Sequence, residues 1–324
     1  MSIGSLVAPA GSSLGGRLAA VTYLPTVASL LFVLLLLWAG APGPRLDFTA
    51  AWKTANALSV TQALLLGLAV TLLTVIAHPF QIPLVRFLEG AWPSWLRWLG
   101  AWRSARHAKK RSVLAAATIA VGDPPNAAAT NRAGWAQAEL DSRYPPNSLP
   151  VERTVLGNVL AASEFRAGSG YGLDAVSAWP RLYPVLPDAT RTVLESSRNA
   201  LDAAARLSVT AFVTALVCAG LLAKSGWWAL LIIAPATIAW LAYWAAVHAA
   251  RNYGVAVCAA FDLHRFDMYR ALNLSLPVDL VAEKTFNEEL CTHWRQGTPH
   301  PYVRYEPPPG STTEPTAGQP SPPA

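Results

Sequence analysis

The stretch "LSVTAFVTALVCAGLLAKSGWWALLIIAPATIAWLAYWAAV", Leu207 to Val247, decides the fold of this chain. It contains two apolar runs, Leu207 to Ala223 and Gly226 to Val247, which are separated only by Lys224 and Ser225. A helix of about 20 apolar residues is long enough to cross the hydrocarbon core of a bilayer. Because so short a connection joins only neighbouring helices of opposite direction, the stretch predicts an antiparallel transmembrane hairpin.

Two further uncharged runs lie in the first quarter of the chain, from Tyr23 to Gly40 and from Ala57 to Ala77. Only 14% of the 324 residues are charged and 53% are hydrophobic, whereas soluble domains carry about 25% charged residues. We therefore predict an all-α membrane protein with four transmembrane helices. None of the four runs contains Asp, Glu, Lys or Arg.

The first run has an alternative interpretation. Arg17 precedes it and the small residues of "WAGAPG" end it, which is also typical of a signal peptide with its cleavage site. Cleavage would remove the first span and leave the remaining topology unchanged.

Basic residues are concentrated beside the second run. Between Arg86 and Arg111 the chain has seven basic residues and one acidic residue, while the two loops on the other side hold three basic residues. The positive-inside rule predicts that residues 79–206 and both termini lie in the cytoplasm, with the chain in the plasma membrane. The predicted divisions are an N-terminal cytoplasmic segment (1–22), transmembrane helices 1 and 2 (23–78), a cytoplasmic helical module with an amphipathic juxtamembrane helix (79–206), transmembrane helices 3 and 4 (207–248), a cytoplasmic helical extension (249–296) and a disordered proline-rich tail (297–324).

Helical patterns extend both halves of the hairpin toward the cytoplasm. Asp188 or Thr190 is suited to cap a helix that continues without a break into the third run. A helix from residue 190 to 223 has 34 residues and a length of about 51 Å. The fourth run continues in the same way through "RNYGVAVCAAFDLHRFDMYRALNL". The cytoplasmic module is therefore predicted to be built on long inward extensions of helices 3 and 4, which form an antiparallel stalk.

A tryptophan-rich segment follows the second run. Trp92, Trp95, Leu96, Leu99 and Trp102 are spaced as one face of a helix. This pattern is typical of a helix that lies in the headgroup region, and equally of an amphipathic helix packed on other cytoplasmic segments. The candidate lipid-headgroup contacts are Trp92, Trp95, Arg97, Trp102, Arg103 and Arg106.

The net charge of +6 is concentrated in this juxtamembrane segment. Each basic residue near an anionic membrane surface contributes about 1 kcal/mol of attraction. The sequence contains no nucleic-acid-binding motif, so we expect the partner of this charge to be a bilayer with anionic headgroups and no nucleic acid.

The segment "YGLDAVSAWPRLYPVLPD", Tyr171 to Asp188, contains three prolines. It predicts a short helix, about Leu173 to Ala178, followed by an extended strap, because proline biases the preceding residue toward extended geometry. We interpret it as a clamp in which Trp179, Leu182 and Leu186 cover the inner end of the stalk and Asp174 or Glu164 pairs with Arg181. The candidate clamp residues are Glu164, Tyr171, Asp174, Trp179 and Arg181.

Carboxylates and arginines in this region could also form a general acid–base pair. No spacing directs two carboxylates toward one cleft, and the sequence has no P-loop, G-x-S-x-G or CxxC motif. In "FDLHRFD" only one of the two Asp–His pairs shares a helix face, so an ion pair is expected there instead of a metal site. We expect no catalytic residue, cofactor or metal.

Four segments, "RFLEGAWP", "LGNVLAASE", "YGLDAVSAWPRLYPVLP" and "AAFDLHRFDMYRALNLSLP", resemble landmarks of a family of uncharacterised bacterial multi-pass integral membrane proteins. They cover much of residues 86 to 277. The resemblance implies the architecture and no activity, because the family has none established. In the family's pattern a proline directly precedes the threonine of T-x-L-G-N, whereas here three residues separate Pro150 from Thr154, which leaves that helix start open.

The leading functional hypothesis is a non-enzymatic membrane scaffold whose cytoplasmic module docks a protein partner or a second copy of the chain. An oligomeric channel or transporter component is the alternative, although uncharged spans supply no evident ion pathway. A membrane-bound enzyme that uses Asp174, Glu164 and Arg181 is a third hypothesis. It would require these groups to line an open pocket.

Overall fold

The computed structural model describes residues 15–119, 126–298 and 305, with side chains described from Leu24 onward except for 77–82. Within these residues the secondary structure is helical, and the one strand-like contact is an isolated bridge between Leu274 and Tyr305. The all-α prediction is therefore confirmed. The α-helices in this part of the chain are α1 (Gly15–Trp38), α2 (Phe48–Asn56), α3 (Val60–Glu89), α4 (Arg97–Ala117), α5 (Ala127–Arg143), α6 (Val155–Arg166), α7 (Ala175–Leu182), α8 (Asp188–Leu222), α9 (Ile233–Ala271) and α10 (Leu280–Gln296).

The antiparallel pair α8 and α9 is the axis of the molecule. The two helices have 35 and 39 residues, as the continuous helical patterns predict. The connection is longer than the predicted two-residue turn, because Gly226–Ile232 forms a 3-10 helix before α9 begins. The hydroxyl of Ser208 donates to the carbonyl of Ala239 at 2.9 Å and fixes the register. Small buried residues let the two backbones approach closely, namely Ala205, Ala211, Ala215, Ala239, Ala242 and Ala246.

Two of the described helices are long and apolar enough to cross a membrane, α8 and the continuous helical segment Gly226–Ala271. A third candidate is the pair formed by α2 and Val60–Ile76, which bends by 112° at its break. Residues Leu24–Trp38 of α1 form a shorter apolar helix. The chain thus has the composition of a membrane protein with two clear spans and one further candidate.

One end of the hairpin packs against the loop that follows α1. Leu36, Cys218 and Leu222 are buried together there, and the hydroxyl of Ser225 donates to the carbonyl of Gly43 at 2.7 Å. Helix α2 lies in the same loop and was not predicted from the sequence. Its first turn is capped by the Asp47 carboxylate, which accepts the backbone N–H groups of Thr49 and Ala50.

Helix α6 ties the end of α3 to α9. Its start, left open by the sequence, is set by the hydroxyl of Thr154, which accepts the backbone N–H of Gly157 at 3.0 Å. A glycine inside a helix predicts close backbone packing, and a Cβ at Gly157 would indeed collide with the carbonyl oxygen of Glu89. On the other side, the backbone N–H of Leu156 donates to the phenol oxygen of Tyr243 at 3.3 Å.

Helices α4 and α5 form a smaller hairpin beside α6. The Ala-rich sequence predicts a helix at about residues 128–140, and α5 extends it to Ala127–Arg143. His107 of α4 is buried and lies 3.4 Å from the phenol oxygen of Tyr144. Burial, assisted by the positive charges of Arg103, Lys110 and Arg106, lowers the pKa of His107 to about 4. The imidazole is therefore neutral at pH 7 and belongs to the packing between these elements.

Helix α10 returns along the far end of the stalk. The sequence after Pro277 predicts a last helix at about residues 279–294, which α10 confirms, and the Asp279 carboxylate caps it by accepting the N–H of Ala282 at 2.7 Å. Most of the predicted disordered tail (297–324) and of the predicted N-terminal segment (1–22) lies outside the described residues.

Candidate functional site

The far end of the stalk, which is the end of α9 near Ala271, is covered by the segment from Tyr171 to Asp188. Trp179 is 1% exposed, and Leu182 and Leu186 are buried in the same cluster. The Trp179 ring lies 6.0 Å from the ring of Phe261 on α9. This cluster also contains residues of α8 and α10, so the segment packs against three helices at once.

The prediction of an extended strap in this segment is wrong. Pro180 lies inside α7, and a 3-10 helix of Tyr183–Val185 follows. An interior proline costs about 3 kcal/mol in a helix. The helical geometry places Trp179 and Leu182, three residues apart, on one buried face while Pro180 is exposed. Burial of these two side chains therefore outweighs the local preference of proline.

The predicted ion pair of Arg181 is also wrong, since no described ion pair joins Arg181 to Asp174 or Glu164. The Asp174 carboxylate lies 3.8 Å from the guanidinium of Arg295. The guanidinium of Arg181 lies 4.3 Å above the ring of Trp294. Both contacts fasten α7 to α10, whose position beside α7 is a tertiary feature that the sequence pattern does not contain.

Two further polar side chains at α7 make local hydrogen bonds, whereas the buried indole nitrogen of Trp179 has no described hydrogen-bond partner. The Ser177 hydroxyl donates to the Asp174 carboxylate at 2.6 Å, and Arg181 donates to the carbonyl of Ser177 at 2.7 Å. Glu164 is half-buried on α6, and this burial, with the nearby charge of Asp174, raises the pKa of its carboxyl group. Of the candidate clamp residues, Asp174 and Arg181 therefore contact α10, and Trp179 packs on α9.

A buried polar network joins α9 to α10, and sequence reasoning missed it. Arg265 Nε donates to the Glu283 carboxylate at 2.7 Å. The Tyr269 hydroxyl donates to Asn287 Oδ1 at 2.9 Å, and the Asn287 amide donates to the carbonyl of Tyr171 at 2.7 Å. Glu283 and Asn287 are buried. Their spacing of four residues, in line with buried Leu290 and Cys291, is the signal that could have indicated two polar groups on the inner face of α10.

Tyr171 connects this network to the covering segment. Its hydroxyl donates to the Asp262 carboxylate at 3.0 Å, and the guanidinium of Arg265 lies 3.8 Å above its ring. Desolvation, followed by the hydrogen bond to Asp262, raises the pKa of Tyr171. The side chain therefore stays neutral and acts as a contact between the segment and α9.

Two residues of the "FDLHRFD" segment also contact neighbouring parts of the chain. The His264 ring lies 3.1 Å from the Asp267 carboxylate, and its other nitrogen lies 3.1 Å from the hydroxyl of Thr190 on α8. Asp262 is turned instead to Tyr171. Within the described part of the chain, no group of three potential ligands is placed to hold a metal ion.

A second candidate surface lies on α4 and on the 3-10 helix Ser94–Leu96 that precedes it. We define the tryptophan surface as Trp95, Trp98 and Trp102, of which the first two are 74% and 72% exposed. The opposite side of α4 packs on the protein, where Gly100 and His107 are buried. These tryptophans therefore do not pack on the other described segments, which favours the headgroup alternative over the packed one.

Two of the predicted headgroup contacts are used within the protein. Trp92 precedes the helix and stacks on Phe87, with ring centres 5.3 Å apart. Its indole N–H donates to the carbonyl of Phe87 at 2.9 Å. Arg103 donates to the carbonyl of Arg153 at 3.3 Å. The predicted contacts that remain on the surface are Trp95, Arg97, Trp102 and Arg106.

Hydrogen bonds fix the position of the tryptophan surface relative to the α8–α9 hairpin. The Arg153 guanidinium donates to the carbonyls of Gly90 and Trp92 at 3.0 and 3.3 Å. Residue Leu156, close by in the chain, binds Tyr243, which lies near the end of the apolar run 226–247. The tryptophan surface therefore lies beside the end of the apolar run 226–247, where α9 continues as the stalk. An open groove of about 630 Å³ lies beside it, lined by Pro83, Leu84, Phe87, Ala91, Trp92 and Pro93.

Comparison with known proteins adds no relative, since no family model, curated protein or solved structure matches the chain. The resemblance to a bacterial membrane family stays a prediction.

Proposed function

We propose that the chain is a non-enzymatic scaffold of the plasma membrane with four transmembrane helices and both termini in the cytoplasm. Its cytoplasmic helical module, residues 79–206 and 249–296, docks a protein partner or a second copy of the chain. The seven-to-one basic excess between Arg86 and Arg111 supports this orientation.

Three polar groups of the candidate clamp are engaged in contacts with other helices. Asp174 and Arg181 bind α10, and Tyr171 binds α9. Two described grooves, one beside Trp92 and one between α5 and α6, are lined by other residues. An enzyme requires acid and base groups that reach a substrate, so this arrangement supports a structural role for the set.

The observation that carries the docking function is an apolar surface at the far end of the stalk. It comprises Leu276, Val278, Leu280 and Val281, of which Val278 is 95% exposed. Residues 243 to 271 of α9 span about 42 Å at 1.5 Å per residue. Lipid in the bilayer does not reach a surface at that distance. Contiguous exposed apolar residues mark interaction sites, so a protein is the expected occupant.

A photo-crosslinking amino acid at Val278 tests this function in cells. We expect a discrete cross-linked species, whose mass identifies a partner or a second copy, and we expect Val281→Glu to abolish it. The matched control is the same amino acid at Val193, an exposed valine on α8, which should give no such species. If position 278 yields only the uncrosslinked chain, or if both positions give the same products, the docking proposal is wrong.

A further inference from the structure

The groove beside the tryptophan surface is formed by two consecutive parts of the chain. Pro83, Leu84 and Phe87 come from the last turns of α3. The other wall, residues 91–93, turns back against them because Gly90 has a left-handed backbone with φ of +112°. Only glycine adopts such a conformation without strain. The lining is carbon-rich, since it consists of Pro, Leu, Phe, Ala and Trp side chains.

The walls of this groove are held in place by the protein itself. The backbone N–H of Ala91 donates to the carbonyl of Arg86 at 2.9 Å. Trp92 is fixed by its stacking on Phe87 and by its indole hydrogen bond. Arg153 binds the carbonyls on both sides of Ala91. A groove that needs no reorganisation binds a ligand with less loss of conformational entropy.

We infer that this groove binds one anionic phospholipid of the cytoplasmic leaflet, with an acyl chain against Leu84 and Phe87 and the phosphate near Arg97. The inference rests on the proposed function, because it takes the tryptophan surface to lie at the inner boundary of the membrane. At that depth an open apolar groove is filled by acyl chain, and tryptophan side chains such as Trp95 prefer the headgroup level.

The charge around the groove selects the headgroup. Arg86 follows Leu84 on α3, Arg97 begins α4, and Arg106 lies further along the exposed side of α4. None of the three has a carboxylate ion-pair partner within the described residues. Two acids lie in this region: Glu89, which is half-buried and interacts electrostatically with Asp202 of α8 as well as with Arg86, and Glu152, whose carboxylate lies against Gly90. The three arginines outnumber these two acids. The balance is positive and complements a phosphate diester that carries a net negative charge.

The test uses the purified full-length chain and two readouts. The first is fluorescence of a bimane label at Trp98→Cys in nanodiscs that contain brominated phosphatidylcholine, and we expect strong quenching. The second is native mass spectrometry after exchange into phosphatidylglycerol or phosphatidylcholine with the same acyl chains. We expect one retained phosphatidylglycerol and little retained phosphatidylcholine.

Three variants localise the site. Ala91→Trp fills the groove and should abolish retention, and Arg97→Gln should weaken retention about fivefold, since one basic residue contributes about 1 kcal/mol. Arg132→Gln, which removes an exposed arginine of α5, should leave retention unchanged. Quenching without selective retention, or retention insensitive to Ala91→Trp and Arg97→Gln, overturns the lipid site alone. Absence of quenching overturns the membrane placement and the lipid site with it.

Discussion

Trp179→Ala is expected to lower the free energy of unfolding by about 3–5 kcal/mol, which is the usual cost of truncating a buried aromatic side chain to alanine. Trp179 is 1% exposed and contacts the rings of Tyr183 and Phe261. Its removal leaves a cavity between α7 and α9 that the rigid stalk cannot fill. Thermal and denaturant unfolding of the chain in mild detergent measures the loss.

Asp174→Asn is the charge comparison for the same segment. The Asp174–Arg295 pair is partly exposed, at 33% and 55% of the two side chains, and such pairs contribute at most about 1 kcal/mol. Trp135→Ala, which truncates an exposed tryptophan of α5, should be nearly neutral. If Asp174→Asn lowers the free energy of unfolding as much as Trp179→Ala does, packing does not dominate the stability of the segment. If Asp174→Asn leaves stability intact and yet abolishes partner binding, Asp174 belongs to a functional site.

Glu283→Ala is expected to cost about 3–5 kcal/mol, because removing one partner of a buried pair leaves the other charge uncompensated. The side chains of Arg265 and Glu283 are 14% and 4% exposed. The same substitution removes an acceptor of the Tyr269 hydroxyl at 3.2 Å. The melting temperature in detergent should fall accordingly, and limited proteolysis should release α10.

A double variant separates the charge effect from the loss of packing. Arg265→Met combined with Glu283→Leu removes both charges and should be more stable than Glu283→Ala alone. Arg270→Ala removes the mostly exposed partner of Asp267 and should change the free energy of unfolding by less than about 1 kcal/mol. The proposed cause of the destabilisation is the uncompensated charge of Arg265. It would be contradicted if the double variant were as unstable as Glu283→Ala, or if Glu283→Ala left the stability unchanged.

The stalk could be predicted from the sequence because its helical pattern is local and uninterrupted. The apolar runs and the stripes around Leu194 and Phe261 continue in one register, and α8 and α9 follow them for 35 and 39 residues. Gly157 could be predicted as a close contact because an interior helix glycine needs a packing reason. Helix α2 could not be predicted, because its nine residues between two apolar runs form too short a helical pattern.

The contacts of the covering segment could not be predicted because they depend on where α10 lies. The sequence indicates a helix after Pro277, but no spacing says that Trp294 will meet Arg181 or that Glu283 will meet Arg265. For the tryptophan surface, the sequence face began at Trp92, whereas the helical geometry begins at Ser94. The predicted face is also divided, since Leu96 and Leu99 are half-buried, whereas Trp98 lies on the exposed side and Trp92 stacks on Phe87.

The central claim is that the helical module and the stalk lie in the cytoplasm. Its most direct test is labelling with a membrane-impermeant maleimide of single cysteines, introduced after Cys218, Cys258 and Cys291 are replaced by alanine. Lys53→Cys on α2 and Arg132→Cys on α5 introduce thiols at exposed positions on the two proposed sides of the membrane. Lys53→Cys is expected to react in intact cells, whereas Arg132→Cys is expected to react only after the membrane is opened. Labelling of Arg132→Cys in intact cells, with Lys53→Cys protected, would contradict the central claim.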